Sequence, residues 1–342
     1  MRQSEASDLA PRLRRLRPIA AVLAGIAGSI VITGCNPFSG LSPQSSGQTI
    51  TVAAVPGVEN ANLYLALHGG YFSRAGVTVK IERFTSIKNE ISALNTGAVD
   101  VIAADYGDMF FSAAQSANPI YRLLADGYDA APGVAEILTS PDSSIKSLAD
   151  LANLRIPVPN TENVPAPAGD PNTLVLASAV SVLQSDGVNL AAVAWRPMVQ
   201  RQAISELMAH QAQAILVTGL NVYLAQQQGA VELADAYSGP TSGLPLDGFF
   251  ATRAWLNSAN NSAAANAFQQ GLYAADATAT MPGPIQAILP AWMGITKQEA
   301  NLVTTGTYPL ATITASVQRT ASLLQSEGIV KIPVNVSAMV VH

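Results

Sequence analysis

The sequence predicts a hinged, two-lobed α/β protein, each lobe a mostly parallel sheet flanked by helices. Three observations carry this. Short β-branched or alternating segments regularly exchange with apolar-periodic helical ones, which is the pattern of parallel βαβ units with right-handed crossovers. The alternation breaks after residue 132 and then resumes, and the Gly/Pro-rich stretch SGPTSGLPLDG (238–248) leads out of the second series. The composition also supports a large core. Hydrophobic residues make up 49% of the 342 and charged residues only 12%, about half the roughly 25% usual in soluble domains. A chain of this length suffices for two domains of ordinary size.

In chain order, TITVAAV (49–55) is a short strand and the loop PGVEN leads to a helix over 61–67. GVTVKIERF (76–84) alternates as a strand does. TSIKNEISALNTG fits a helix with Thr85 or Ser86 as N-cap and Gly97 just past its end. AVDVIAA (98–104) is a buried strand, DYGD a turn, MFFSAAQSA (109–117) a helix and PIYRLLADGY a strand. GVAEILTSPDS (133–143) is a strand that leaves this unit, followed by the short helix SIKSLADL. The second series reads RIPVP strand, a polar loop, a helix over 171–185 opened by Pro171, NLAAVAW strand, a helix over 198–211, AILVT strand, LNVYLAQQQG helix and AVELADAY strand. FFATRAWL returns toward a strand, and the remainder is mostly helical. The predicted limits are lobe 1 at 49–136 and 247–342, and lobe 2 at 137–246. No repeat of fixed period is present.

The N-terminus reads as an export signal. Residues 1–35 hold five arginines against Glu5 and Asp8, a balance of +3, so the rest of the chain carries −8 of the net −5. The basic stretch PRLRRLR precedes an apolar run of 16 residues, 19–34, short of the ~20 a helix needs to cross a bilayer. Arg14-Arg15 hints at twin-arginine export. The alternative is a buried N-terminal helix, whose arginines would need an acidic surface. Ile32-Thr33-Gly34-Cys35 resembles the lipobox of bacterial lipoproteins, in which the cysteine thiolate takes a diacylglycerol and becomes the new N-terminus. A signal over 1–34, a lipidated Cys35 and a flexible tether over 35–48 are therefore expected, with a buried structural cysteine as the alternative. The acidic remainder has no basic stripe, which argues against nucleic acid as a partner.

The residues that could carry chemistry are sparse. His68, His210 and His342 lie far apart, with no His-x-x-x-His or Cys/His cluster, so no metal site is expected. There is no Gly-x-Ser-x-Gly elbow, P-loop or Gly-x-Gly-x-x-Gly fingerprint. His68 suits a helix end and His210 the polar side of a helix. Asp100, Asp105 and Asp108 form a carboxylate cluster, in which Asp100 is better placed to anchor a turn than to act as acid or base. The strand-end loops are the better candidates, because open α/β sheets bind ligands there and helix N-termini point at the same space. Loops 56–60, 85–86, 105–108, 160–162, 195–197 and 218–221 qualify. From them, Asn60, Thr85, Tyr106, Asp108, Asn160, Thr161, Trp195, Thr218 and Asn221 are the expected ligand contacts. Tyr106 and Trp195 would supply flat apolar walls, and Trp195 at a strand end equally suits the core. No catalytic residue and no cofactor are expected.

Four segments, LALHGGYFSRAGVTVKIERF, ISALNTGAVDVIAADYGDMFF, SIKSLADLANLRIPVP and the C-terminal TYPLATITASVQRTASLLQSEGIVKIPVNVSAMV, resemble in order and spacing the substrate-binding proteins of ABC importers. The branch is that of nitrate, sulfonate and taurine and of thiamine-pyrimidine precursors. The resemblance covers about residues 49–340 and implies a periplasmic-binding-protein-like fold of class II. It further implies a cleft for a small molecule, delivery to permease subunits, and a monomer held at the outer face of the membrane by its lipid. The expected loops carry Glu59, Asp105, Asp108 and Glu162, with Arg196 as their only cation, so a neutral or cationic heteroaromatic ligand is favoured over a strong anion. A lipoprotein that senses its ligand for a membrane receptor is the alternative function. A related branch resembles enzymes that build the thiamine pyrimidine with a cysteine-rich motif. Cys35 is the sole cysteine and precedes the fold, so that motif is absent.

Overall fold

The computed structural model describes residues 47–115, 120–160 and 173–341. The export signal, Cys35, most of the tether, Thr161, Glu162 and Pro171 lie outside the described residues. β1 (Thr49–Ala54) is followed by α1 (Ala61–His68), α2 (Tyr71–Arg74), β2 (Thr78–Arg83), α3 (Ile87–Thr96), β3 (Val101–Asp105), α4 (Tyr106–Ala114) and β4 (Tyr121–Asp129). The second series is β5 (Ala135–Thr139), β6 (Arg155–Pro159), α5 (Thr173–Ser185), β7 (Ala194–Met198), α6 (Gln200–Met208), β8 (Ala214–Thr218), α7 (Leu220–Gln226) and β9 (Val231–Asp235). β10 (Pro245–Thr252) returns to the first series, followed by α8 (Arg253–Leu256), α9 (Ala259–Ala279), α10 (Pro284–Met293), α11 (Lys297–Leu302) and α12 (Thr314–Ser326).

The first sheet has the order β2-β1-β3-β10-β4, with β1 parallel to β2 and β3, and β10 antiparallel to both β3 and β4. The second series repeats the plan. β7 and β6 pair in parallel, β6 runs beside β8, and β8-β5-β9 form a ladder with β5 antiparallel to both neighbours. In each half the strand that arrives from the other half is inserted second from the edge, against the direction of its neighbours. Each half therefore sets one strand, β10 or β5, antiparallel to both of its neighbours. A βαβ reading assigns direction to strands joined by a helix, and β5 is joined to β4 by a bare crossing segment.

That segment, 130–134, lies beside the other crossing, 236–244. The Ala130 amide donates to Leu244 O (2.8 Å), and Gly133, at φ +80°, donates to Asp235 Oδ2 (2.8 Å). Glycine meets that left-handed backbone without a Cβ penalty.

Local chemistry accounts for most element limits. Ser86 caps α3 by accepting from the Asn89 amide, and Gly97 ends it at φ +73°. The DYGD stretch forms the start of α4 rather than a turn, since Asp105 Oδ1 accepts from the amides of Gly107 and Asp108. Asp100 anchors the β1 register through Thr51 N (2.8 Å). The expected strand NLAAVAW is a short 3-10 turn (Leu190–Ala192) followed by β7, so the strand sits further along the chain. His210 lies just past α6, at φ +54°, 3.8 Å from Asp142, and not on a helix face.

The long α9 covers one face of the first sheet. Phe268 stacks on Phe72 of α2 (centroids 5.0 Å) and meets Phe249 of β10 edge-on at 5.5 Å. Phe72 can approach because Gly271 has no Cβ, which would stand 2.7 Å from Cδ1 of that ring. Burying each such ring stabilises by about 1.5–3 kcal/mol. A smaller apolar core joins β5, β8, α6 and α7 through Leu138, Ile204, Leu207, Ile215, Val217 and Val222. No helix among the described residues is long and apolar enough to cross a membrane.

Candidate functional site

A cavity of about 510 Å³ opens between the two sheets, at the carboxyl ends of their strands. One wall comes from the first sheet. Pro56, Gly57, Val58 and Glu59 follow β1, Asp105 ends β3, and Tyr128, Leu246 and Asp247 belong to β4 and β10. Asn160 after β6, Val199, Gln200 and Arg201 at the start of α6, and 218–221 after β8 form the opposite wall. Val134 and Tyr237, from the two crossing segments, also line it.

Each wall is built by short-range hydrogen bonds. Asn60 is buried and fully engaged: Oδ1 accepts from Gly57 N (3.1 Å) and Trp292 Nε1 (3.0 Å), and Nδ2 donates to Val55 O (2.9 Å). Tyr308 OH donates to Val58 O at 2.6 Å. Across the cleft, Gln200 Oε1 accepts from Thr218 N (2.7 Å) and its Nε2 donates to Thr218 Oγ1 (3.1 Å), clamping α6 to the end of β8. Gly219, at φ +54°, donates to Val134 O (2.8 Å), tying this wall to the crossing segment.

The first wall is acidic. Asp105 and Asp247 are register partners on β3 and β10, so their side chains emerge side by side on one face, and Tyr128 continues the row on β4. Burial pushes the Asp105 carboxyl well up, with the Asp108 charge next. Burial also raises Asp247, helped by Glu59, Asp105, Glu90 and Asp126, every one an acid. Glu59 is solvent-accessible within the cleft but hemmed in by protein, and this confinement raises it too. Behind the wall, Glu90 of α3 is fully buried and pushed up to about 9, chiefly by burial. Among the described residues, no three His, Cys, Asp or Glu side chains are placed to hold a metal ion.

Of the residues expected from sequence, Asn160, Thr218 and Asn221 line the cavity. Asn60 does not; its polar atoms turn inward and shape the loop. Tyr106 is a correction: it is 0% exposed, its OH donates to Asp126 Oδ1 (2.9 Å), and its ring packs against Phe110 and Phe250. Starting α4 one residue after β3 turns that ring into the core. Asp108 lies in the first turn of α4, does not line the cavity, and its charge helps to raise Asp105. Thr85 is exposed and outside the cavity because β2 is the edge strand of its sheet. Trp195 pairs with Ile156 inside β7 and packs, half-buried, on the main core. Since β7 runs to Met198, the residues that reach the cleft are Val199 to Arg201. Arg196 pairs with Glu206, so it supplies no free cation to the cleft. Sequence reasoning missed Gln200, Arg201, Tyr237, Asp247, Met293 and Ile295. Only the rule that residues after strands face the ligand, applied with correct strand ends, would have found Gln200 and Arg201.

Residues 58–273 match the family described as NMT1/THI5 like. The chain belongs to the NMT1/THI5-like family. No curated protein matches it by sequence. Several solved structures share the fold of this NMT1/THI5-like chain. One is the ligand-binding component of an ABC-type import system from Staphylococcus aureus, solved with zinc bound. It has a TM-score of 0.65 and 14% identity, over 86% of this chain and 96% of that one. The alkanesulfonate-binding protein SsuA from Xanthomonas axonopodis pv. citri, bound to MOPS, gives a TM-score of 0.62 and 17% identity, over 86% and 98%. The desulfurization enzyme DSZB gives 0.64 and 14%, over 86% and 96%. The periplasmic-binding-protein fold expected from sequence is thus the fold of this NMT1/THI5-like protein.

Proposed function

We propose that this protein is an extracytoplasmic solute-binding lipoprotein of an ABC importer. It captures a small organic molecule in the cleft and delivers it to permease subunits. The observation that carries this reading is the cavity itself, lined by strand ends from both sheets and by the two crossing segments. In this reading residues 49–136 with 247–342 and residues 137–246 act as lobes, and rotation about the crossing segments closes the cleft. The names of the ABC import component from Staphylococcus aureus and of SsuA support the assignment to import. Ligand-dependent compaction in small-angle scattering, with the compound that co-purifies with the protein, is the expected result. A protein that neither compacts nor gains thermal stability with any small metabolite overturns the reading.

The anchor rests on the N-terminal sequence. Cys35 precedes the fold by a tether of about a dozen residues. Cys35→Ala is therefore expected to move the protein from the membrane fraction to the soluble fraction while leaving ligand affinity unchanged. Loss of ligand affinity in that variant would break the division between anchor and cleft.

Catalysis in the same cleft is the second reading, favoured by one observation: a desulfurization enzyme shares the fold. Turnover of the co-purifying compound by the purified protein is its test.

A further inference from the structure

Among the described residues, the acidic wall of the cleft has no positive partner. Asp105 and Asp247 stand directly opposite one another on adjacent antiparallel strands, a placement that is unfavourable for like charges. Asp247 lines the cavity but is only 5% exposed, and its buried Oδ1 has no hydrogen-bond partner. Among the described residues no lysine or arginine is paired with Glu59, Asp105 or Asp247. Burial without a compensating charge disfavours the ionised form of a carboxyl, so the wall is unfavourable for the empty protein.

Two tyrosines complete the arrangement. Tyr128 continues the Asp105–Asp247 row, and the buried Tyr237 of the crossing segment lines the same cavity. Aromatic faces beside carboxylates attract organic cations through the ring quadrupole and the charge together. A bare metal ion suits this wall poorly, because its carboxylates do not converge as ligands. The one cation among the described lining residues, Arg201, is exposed on the opposite wall. It is near enough to Glu299 to help lower that carboxyl, behind the larger effect of the Thr296 hydrogen bonds.

We propose that the cleft takes a small organic cation, an ammonium, amidinium or protonated heteroaromatic nitrogen, whose charge is received by Asp247, Asp105 and Glu59 beside Tyr128 and Tyr237. This rests on the solute-binding reading and names the chemical class of the solute. The cation supplies a positive partner that the described residues do not, so binding favours the charged form of carboxyls that burial otherwise disfavours.

The test divides a bacterial metabolite extract on ion-exchange resins at neutral pH into cationic, neutral and anionic fractions. Each is mixed with the full mature protein and read by thermal shift and by native mass spectrometry of the complex. The expected result is stabilisation and a bound mass from the cationic fraction only. Asp247→Asn is expected to weaken binding of the captured cation at least tenfold while leaving the empty protein as stable or more so. Binding confined to the anionic or neutral fraction overturns the cation inference and leaves the solute-binding reading standing. No binding from any fraction overturns both. Should Asp247→Asn fail to fold, the wild-type protein carries the test, since its affinity for the captured cation must fall as the pH is lowered and the wall takes up protons. An affinity independent of pH, or an Asp247→Asn protein that binds like wild type, sinks the proposal.

Discussion

Raising the pH from about 6 to about 8 is expected to lower the stability of the ligand-free protein by on the order of 2–3 kcal/mol through Glu90 alone. Glu90 is fully buried, and its carboxyl titrates at about 9 in the fold against 4.5 for an ordinary glutamate. The native state therefore keeps a proton that the unfolded chain releases between those two values. The sign follows: the contribution is complete below the unfolded pKa and is lost as the pH climbs toward the folded one. Asp129, raised to about 6, and Glu136, raised to about 7, both chiefly by burial, steepen the lower part of the same window. For a domain of this size the loss corresponds to a fall in Tm of about 5 °C. Melting curves across this range check it, and Glu90→Gln is expected to flatten the profile and raise Tm at the alkaline end. A Tm that rises with pH over this interval would contradict a buried, protonated Glu90. Most proteins avoid such a cluster, and here Glu59, Asp105 and Asp247 sit on a cleft wall with Glu90 behind them. That is the position in which stability is commonly given up for binding.

Where local rules decide structure, the sequence was readable. Ser86 and Gly97 mark the ends of α3 because N-cap and left-handed C-terminal chemistry act over three or four residues. The β1, β3, β6 and β8 segments are apolar enough to be read as buried strands, and the loops after them do reach the cavity. Two kinds of fact were not readable. Asp105 is chemically equally suited to a turn and to a helix N-cap, and choosing the turn moved Tyr106 from the core to the site. The direction of β5 and the pairing of Asp247 with Asp105 depend on how distant strands meet, and a one-residue change of register would send Asp247 to the other face. The residue that most shapes the charge of the cleft therefore lay in a stretch read as a Gly/Pro crossover.

Trp292→Ala is expected to destabilise the protein by about 3–5 kcal/mol and to abolish ligand binding at temperatures where the variant still folds. Trp292 is 1% exposed on α10, far along the chain from the loop it supports. Its Nε1 donates to both Gly57 O (2.9 Å) and Asn60 Oδ1 (3.0 Å), so one indole fixes the two ends of the turn that carries Glu59. The ring stacks on Tyr64 at 5.1 Å, and the Arg83 guanidinium lies 4.7 Å from its centre. Truncation to alanine removes the packing and the donor together. Trp292→Phe separates them, because a phenyl ring keeps most of the stack while leaving two buried acceptors short of a donor, a cost of about 1–3 kcal/mol. Affinity for the co-purifying compound is expected to drop in Trp292→Phe by more than its loss of stability would explain, since the turn carrying Glu59 is then held by Asn60 and Tyr308 alone. Calorimetric binding on the folded variant decides this. Unchanged affinity in Trp292→Phe would mean that the first wall is positioned without the indole N–H, and that Trp292 serves only the core.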